Sequence, residues 1–366
     1  MCHPISHTRV NRINRGRVIR VEDLPSPPPG RTGWPWNSEP PLVTSDEPWP
    51  RVTIVTPSFN QGMFLEETIR SVLLQGYPNL EYIVIDGGST DESVEIIRKY
   101  EPWLEHWESE RDRGQSHAIN KGFARATGEI VAWINSDDVY YPGAIFTAVE
   151  AFKHEPNAGF VHSDCSIIDT KSRVSGSIEH TPRTLPMMIG DGNCIAQPTA
   201  FMRRSALRQV GPMREDLHMV MDYELWIRLL RVSPSHYMPG KRLAAFRMYP
   251  ESKTVGSAHR TPPEILKVFD GLFSDPSLEP CLRSVRRQAY GRVYFHRAVH
   301  DVAADRAFPD GLLSYTRSLV LHPRLALARP LTPLWFLREA GRQLIRDTRR
   351  LRHHPLTITE KDRDAG

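Results

Sequence analysis

From Arg51 onward the chain alternates short apolar runs with segments of helical period, and the apolar runs carry no polar face. VTIVTP (52–57), LEYIVID (80–86), EIVAWIN (129–135) and GFVHSDCSIID (159–169) read as strands. A strand apolar on both sides has to be covered on both sides, which only helices packed on each face of a sheet can do. The intervening segments supply them. FLEETIRSVLLQ (64–75) sets Phe64, Leu65, Thr68, Ile69, Val72 and Leu73 on one face, and SVEIIRKY, GQSHAINKGFARATG and GAIFTAVEAFKH read as further helices. The pattern predicts an α/β fold with a mostly parallel sheet flanked by helices. In such sheets ligands bind beyond the carboxyl ends of the strands. Each strand here ends in polar residues: TPSFN, DGGSTD and NSDD.

The flanks have another texture. Residues 1–50 are proline-rich, as in PSPPPGRTGWPWNSEPP, and read as an irregular arm; Trp34, Trp36 and Trp49 imply that part of it lies across the next domain. The domain expected to follow spans 51–255. Residues 256–352 read as a helical appendix with a hairpin of tetratricopeptide-like character, and 353–366 as a disordered tail. A net charge of +4 permits an acidic ligand without demanding one, and no nucleic-acid-reading motif accompanies it. Cys2, Cys165, Cys194 and Cys281 lie too far apart for a zinc or disulfide framework and read as free thiols. The N-terminus lacks the apolar core of a signal peptide, and arginine and histidine interrupt SLVLHPRLALARPLTPLWFL, so the expected location is the cytoplasm.

Asp137 and Asp138 stand side by side at the end of a buried strand. Two adjacent carboxylates repel unless a cation or hydrogen-bond donors offset them. Mg2+ or Mn2+ carrying a diphosphate is one such cation, since these ions take one or two carboxylates and fill their other positions with phosphate and water. The competing reading is that Ser136, Asp137 and Asp138 cap the next segment. Asp86 can accept from a base N–H or a ribose hydroxyl, while Asp91 reads as part of a helix cap. Thr56 and Asn60 in TPSFN either read a nucleotide edge or tie down a turn. Gln115 and Asn120 are unusual for a solvated helix face. Asp222, in MDYELWIRLL, is either an N-cap or a general base for an acceptor hydroxyl.

Taken together, TPSFNQGMFLEETIRSVLLQGYPNLEYIVIDGGSTD, RGQSHAINKGFARATGEIVAWINSDD and MDYELWIRL resemble glycosyltransferase family 2, whose members are inverting enzymes with a Rossmann-like GT-A fold. The resemblance covers about Arg51 to Thr254. It implies transfer of a sugar from a nucleotide-diphosphate donor to a hydroxyl of a glycan or lipid-linked acceptor, in surface polysaccharide or glycolipid synthesis. By position it assigns Thr56, Pro57, Ser58, Asn60 and Asp86 to the base and ribose, with Gln115, Asn120 and Ser136 beside the donor. Asp138 and Asp137 become the metal and ribose carboxylates, with the metal leaning on Asp138, and Asp222 the catalytic base. Three positions depart from the family pattern: Asn135 replaces a carboxylate, Gly87 a second aspartate, and Tyr249 a histidine. Arg247 is the expected substitute phosphate contact.

Three other readings compete. A catalytically inactive nucleotide-sugar-binding or regulatory module would keep the fold and lose the transfer. A sugar nucleotidyltransferase would need a basic, Gly-rich phosphate loop that TPSFNQGMF lacks. A membrane-surface adaptor would rest on REAGRQLIRDTRRLRHH, a basic amphipathic stretch able to lie on anionic lipid at the inner face of the cell membrane. That contact is also compatible with the enzyme reading.

Overall fold

The structure, a computed structural model, describes residues 5–7, 18–40, 48–179, 184–303 and 308–327. The basic stretch after Leu337 and the tail 353–366 lie outside the described residues. In chain order the first elements are β1 (Ile5–His7), β2 (Val52–Ser58), α1 (Gly62–Leu73), β3 (Leu80–Asp86), α2 (Ser93–Tyr100), β4 (His106–Ser109) and α3 (Gln115–Arg125). There follow β5 (Ile130–Trp133), β6 (Val139–Tyr140), α4 (Ala144–His154), β7 (Phe160–Ile168), β8 (Val174–Ile178), α5 (Leu185–Asp191), β9 (Phe201–Arg203), α6 (Arg204–Val210) and α7 (Met221–Val232). β10 (Ser235–Arg247), α8 (Lys253–Gly256), α9 (Thr261–Ser274), α10 (Pro280–Ser284), α11 (Arg286–Ala303), α12 (Phe308–Leu321) and α13 (Pro323–Leu327) complete the described chain.

One sheet runs in the order β1-β4-β3-β2-β5-β9-β7-β10-β6, with β8 paired to β7. β4, β3, β2 and β5 are parallel, as are β7 and β10, and the antiparallel β9 between β5 and β7 brings both groups to point the same way. Their carboxyl ends therefore meet at one edge. β2 is buried along its whole length. Val52 and Ile54 join the core under α1, α2 and α4, where Leu65, Ile69, Ile97 and Val149 pack. Val55 faces the other way, toward α3. A Cβ on Gly122 of α3 would stand 2.3 Å from Val55 Cγ1, so the helix reaches the sheet there because the residue has no side chain. On the same side Trp226 of α7 stacks between Trp133 and Phe160, with ring centroids 5.5 and 5.3 Å apart.

The chain divides into two compact units, one made of Met1–Met188 with Asn193–Glu264, the other of Ile189–Gly192 with Ile265–Gly366. The described part of the proline-rich arm belongs to the first. Ile19, Leu24 and Trp36 are buried, and Trp34 donates its indole N–H to Tyr140 O at 2.7 Å. Arg70, fully buried on α1, donates to the carbonyls of Pro25, Pro35 and Trp36 at 2.8, 3.1 and 2.7 Å. Proline-rich backbone cannot pair its own carbonyls in a helix or sheet, and the guanidinium supplies the missing donors. The arm is not irregular throughout, because β1 pairs antiparallel with the edge strand β4. In the second unit α11 and α12 form the expected hairpin, with Ala298 and Tyr315 buried between them.

Candidate active site

The turn after β5 carries Asn135, Ser136, Asp137 and Asp138, and its two carboxylates have opposite surroundings. Asp138 is completely buried, accepts the backbone N–H of Arg247 at 2.9 Å, and accepts from Asn135 Nδ2 at 3.2 Å. Asp137 is partly exposed and faces the Tyr249 hydroxyl at 3.0 Å. Burial raises the pKa of both, and the neighbouring Asp137 charge raises that of Asp138 further. This reverses the expected division of labour. Asp138 has its oxygens turned into the protein and serves as the anchor of the turn; Asp137 is the carboxylate a ligand can reach.

Arg247 also has a different role from the one expected. Its side chain is 0% exposed and donates to the carbonyls of Asp137 and Asp169, both at 2.7 Å, to Ser172 Oγ and to Glu67 Oε2, both at 3.1 Å. Its guanidinium lies over the Phe64 ring, 4.5 Å from the centroid. Each of its three nitrogens donates within the protein and the side chain is closed to solvent, so it holds the Asp137–Asp138 turn against α1 and the end of β7 rather than facing a phosphate.

The other predicted donor residues separate in the same way. Thr56 is buried and shares a hydrogen bond with the Tyr82 hydroxyl at 3.0 Å, and Pro57 lies within the buried strand, so neither lines an open site. Asp86 is buried too. It accepts from the N–H groups of Gly88 and Ser89 and from the hydroxyls of Ser89 and Ser109, and so builds the loop rather than presenting an acceptor to a base. Asn120 spends both ends of its amide on the Met213 backbone at 2.9 Å each, tying a later loop to α3. Asn60 is exposed in a left-handed conformation, φ 51°, and its Oδ1 accepts the Thr90 N–H. Ser58 and Ser136 are buried at the carboxyl edge of the sheet, and Ser58 Oγ has no hydrogen-bond partner, an orphaned polar atom at the end of β2. Asp91 behaves as expected of a capping residue, accepting the N–H groups of Ser93 and Gly62.

Gln115, the first residue of α3, links the two carboxylate regions. Its Nε2 donates to Asn135 Oδ1 at 2.6 Å, and its Oε1 accepts from Lys253 Nζ. Asn135 in turn donates to Asp138 and to Gln197 Oε1. A carboxylate at 135 could not donate to Asp138, so the departure from the family pattern serves this network. Gly87 has a similar reason. A Cβ there would meet the Asp112 carboxylate at 3.0 Å, and Asp112 accepts the Gly114 N–H just before α3.

Asp222 is the second residue of α7, and it does not cap the helix. Its carboxylate accepts the Tyr223 N–H at 2.7 Å and the Asn193 side-chain N–H at 3.3 Å. Part of it is exposed, yet surrounding protein raises its pKa. Glu264 Oε2 accepts the N–H groups of His218, Met219 and Val220, fixing the turn that leads into this helix. Lys253 is also exposed, yet desolvation by the surrounding protein lowers its pKa to about 8, against the favourable charges of Asp222, Glu264 and Asp137. Asn193, Lys253 and Glu264 were missed by sequence reasoning. They sit in loops or in a distant helix, with no spacing that refers to Asp222.

Among the described residues no group of three or more His, Cys, Asp or Glu side chains could hold a metal alone. Asp137, charged with difficulty and with one neutral donor facing it, still fits a divalent cation that takes its remaining oxygens from a diphosphate and water.

The sheet order, with the carboxyl ends of its parallel strands at one edge, is that of the GT-A fold. The protein resembles Staphylococcus aureus TarS in its complex with UDP-GlcNAc, with a TM-score of 0.57 and 16% identity over 80% of this chain and 88% of that one. It also resembles the mannosyltransferase PcManGT of Pyrobaculum calidifontis in complex with GDP-Man and Mn2+, at a TM-score of 0.52 and 19% identity, covering 82% of this chain and 91% of that one.

The family model for glycosyl transferase family 2 matches residues 53–211, and the chain belongs to that family. An uncharacterised glycosyltransferase of Mycobacterium tuberculosis is 31% identical over 182 residues, 49% of this chain and 68% of the relative. A putative teichuronic acid biosynthesis glycosyltransferase of Bacillus subtilis, TuaG, is 28% identical over 203 residues, 54% of this chain and 79% of the relative. The chain spans only 32, 33 and 61% of the length of three Rickettsia relatives that it also matches.

Proposed function

We propose that the protein transfers a sugar from a nucleoside-diphosphate donor to an acceptor hydroxyl with inversion at the anomeric carbon. The observation that carries this reading is that Gln115 joins the Asn135–Asp138 turn to Lys253, whose ammonium touches Met221 beside Asp222, so that the partly exposed carboxylates Asp137 and Asp222 belong to one hydrogen-bonded neighbourhood. Asp222 takes the acceptor proton as the new glycosidic bond forms, and the donor's carbon–oxygen bond breaks on the opposite side of the sugar. Burial suits Asp222 to this, since a carboxylate with a raised pKa is a stronger base; Asn193 holds it in position. Asp137 would hold Mg2+ or Mn2+, which when bound neutralises the departing diphosphate. Arg247 and Asp138 keep that carboxylate in place. The TarS and PcManGT complexes with UDP-GlcNAc and with GDP-Man and Mn2+ support the donor and cation classes. The relationship to TuaG, whose name assigns it to teichuronic acid biosynthesis, supports a polysaccharide acceptor; a site of action at the cytoplasmic face of the membrane is part of the proposal.

The test is a panel of UDP-, GDP- and dTDP-sugars with and without Mn2+, read by calorimetry for binding and by nucleotide release for turnover. Asp222→Asn is expected to bind donor within about threefold of wild type and to lose at least about 10²-fold in kcat, the usual scale for a removed general base. Donor bound but turnover unchanged in the variant would remove Asp222 from the chemistry. Binding without acceptor-dependent turnover in the wild type would favour the inactive-module reading.

A further inference from the structure

We infer that Lys253 is a second cation for the donor, holding the β-phosphate of the nucleoside diphosphate opposite Asp137. This rests on the glycosyltransferase reading and adds a ligand-binding residue to it.

Lys253 begins the short helix α8, four residues after Tyr249, whose hydroxyl faces Asp137. Its ammonium contacts Gln115 Oε1 and, at 3.7 Å, Met221 Sδ. Neither is charged. Asp222, Glu264 and Asp137 favour its charge from further away, and Arg260 opposes it. Lysine has three donors on a flexible stem, and a crowded ammonium with neutral contacts is offset poorly. An anion entering between the two carboxylates would complete its surroundings.

The charges favour a diphosphate as that anion. Asp137 with a bound divalent cation carries about one net positive charge, less than the two to three negative charges of a nucleoside diphosphate near neutral pH. When the bond between the anomeric carbon and the β-phosphate oxygen breaks, its electron pair stays on that oxygen, adding one negative charge to the leaving group. The acceptor's proton goes to Asp222. A positioned ammonium stabilises the charge that appears in this step. The Gln115 contact holds the ammonium near the Asn135 turn, while Arg247, the basic residue closer to Asp137 in the sequence pattern, is committed to the protein's own carbonyls.

The experiment titrates UDP, GDP and dTDP, and UMP, GMP and dTMP, into wild type, Lys253→Met and Lys253→Arg, with Mg2+ and with EDTA. Methionine keeps the stem and removes the charge, and thermal melting checks that each variant folds. For the diphosphate that the wild type binds, Lys253→Met is expected to weaken affinity about 10- to 100-fold, the scale of one hydrogen bond to a charged group. The matching monophosphate should change less than about threefold, and Lys253→Arg should recover part of the loss. Equal losses for diphosphate and monophosphate, or none for either, would overturn the assignment of Lys253 while leaving the donor site intact. If none of the three diphosphates binds the wild type, the glycosyltransferase reading falls and this inference with it.

Discussion

Asp222 and Lys253 face each other's charge across the site, and their shifts run in opposite directions for one reason: each is crowded by protein, which disfavours its charged form. The groups facing Asp222 are the Tyr223 N–H, Asn193 and Lys253; those facing Lys253 are Asp222, Glu264, Arg260 and Asp137. A base must be deprotonated to act. The acid limb of kcat/KM is therefore expected above the ordinary aspartate value of about 4, activity rising with pH through it. An ammonium binds a phosphate only while protonated, so diphosphate affinity is expected to fall as pH rises through about 8, the value to which crowding lowers Lys253. Calorimetry between pH 6 and 10 checks the second limb, and Lys253→Arg should flatten it. The sequence motifs singled out Asp137, Asp222 and Gln115 as candidates. The roles of Asp138 and Arg247 were not legible there, because a sequence shows which polar groups are present and not which are spent on the backbone.

At the level of elements, the alternation of strand and helix was legible because both faces of β2, β3 and β5 are buried, which leaves an unbroken apolar run in each. Strand ends moved by a residue or two. β9 was harder to see, since three residues inserted antiparallel between β5 and β7 leave little periodicity. β1 gave no signal, since an edge such as β4 accepts extended backbone through main-chain hydrogen bonds with little regard to side chains. The contact between α3 and β2 depends on Gly122. Gly122→Ala forces its methyl against Val55 in the middle of the sheet and is expected to destabilise by about 1–3 kcal/mol, despite alanine's better helix propensity. Urea unfolding of the variant measures this. Because α3 starts at Gln115, a weaker donor affinity should accompany the loss.

For the molecule as a whole, the arm and the sheet domain are joined through Arg70. Its guanidinium bonds three arm carbonyls and the Tyr100 hydroxyl from a fully buried position. Arg70→Met would fill similar volume and leave those carbonyls without donors, at an expected cost of about 2–4 kcal/mol. A lowered urea midpoint with little change in slope would report it; an unchanged midpoint would mean that the Arg70 hydrogen bonds add nothing net to stability. Tryptophans in a proline-rich stretch were the sequence sign that the arm packs. The partner residue could not be read, since Arg70 sits among the helical positions of α1 and looks like any other arginine there.

By itself, the sequence determined the class of fold and the family, and it pointed to the carboxyl edge of the sheet as the candidate site. These follow from apolar periodicity and from motifs held within single strand–loop–helix units, where spacing along the chain is spacing in space. Only the tertiary structure decided which carboxylate of the pair is open to solvent, that Arg247 is a clamp, and that Lys253, Asn193 and Glu264 belong around Asp222. Those assignments depend on contacts between segments far apart in sequence, formed when each buried polar group finds a partner, and local pattern carries no record of that pairing.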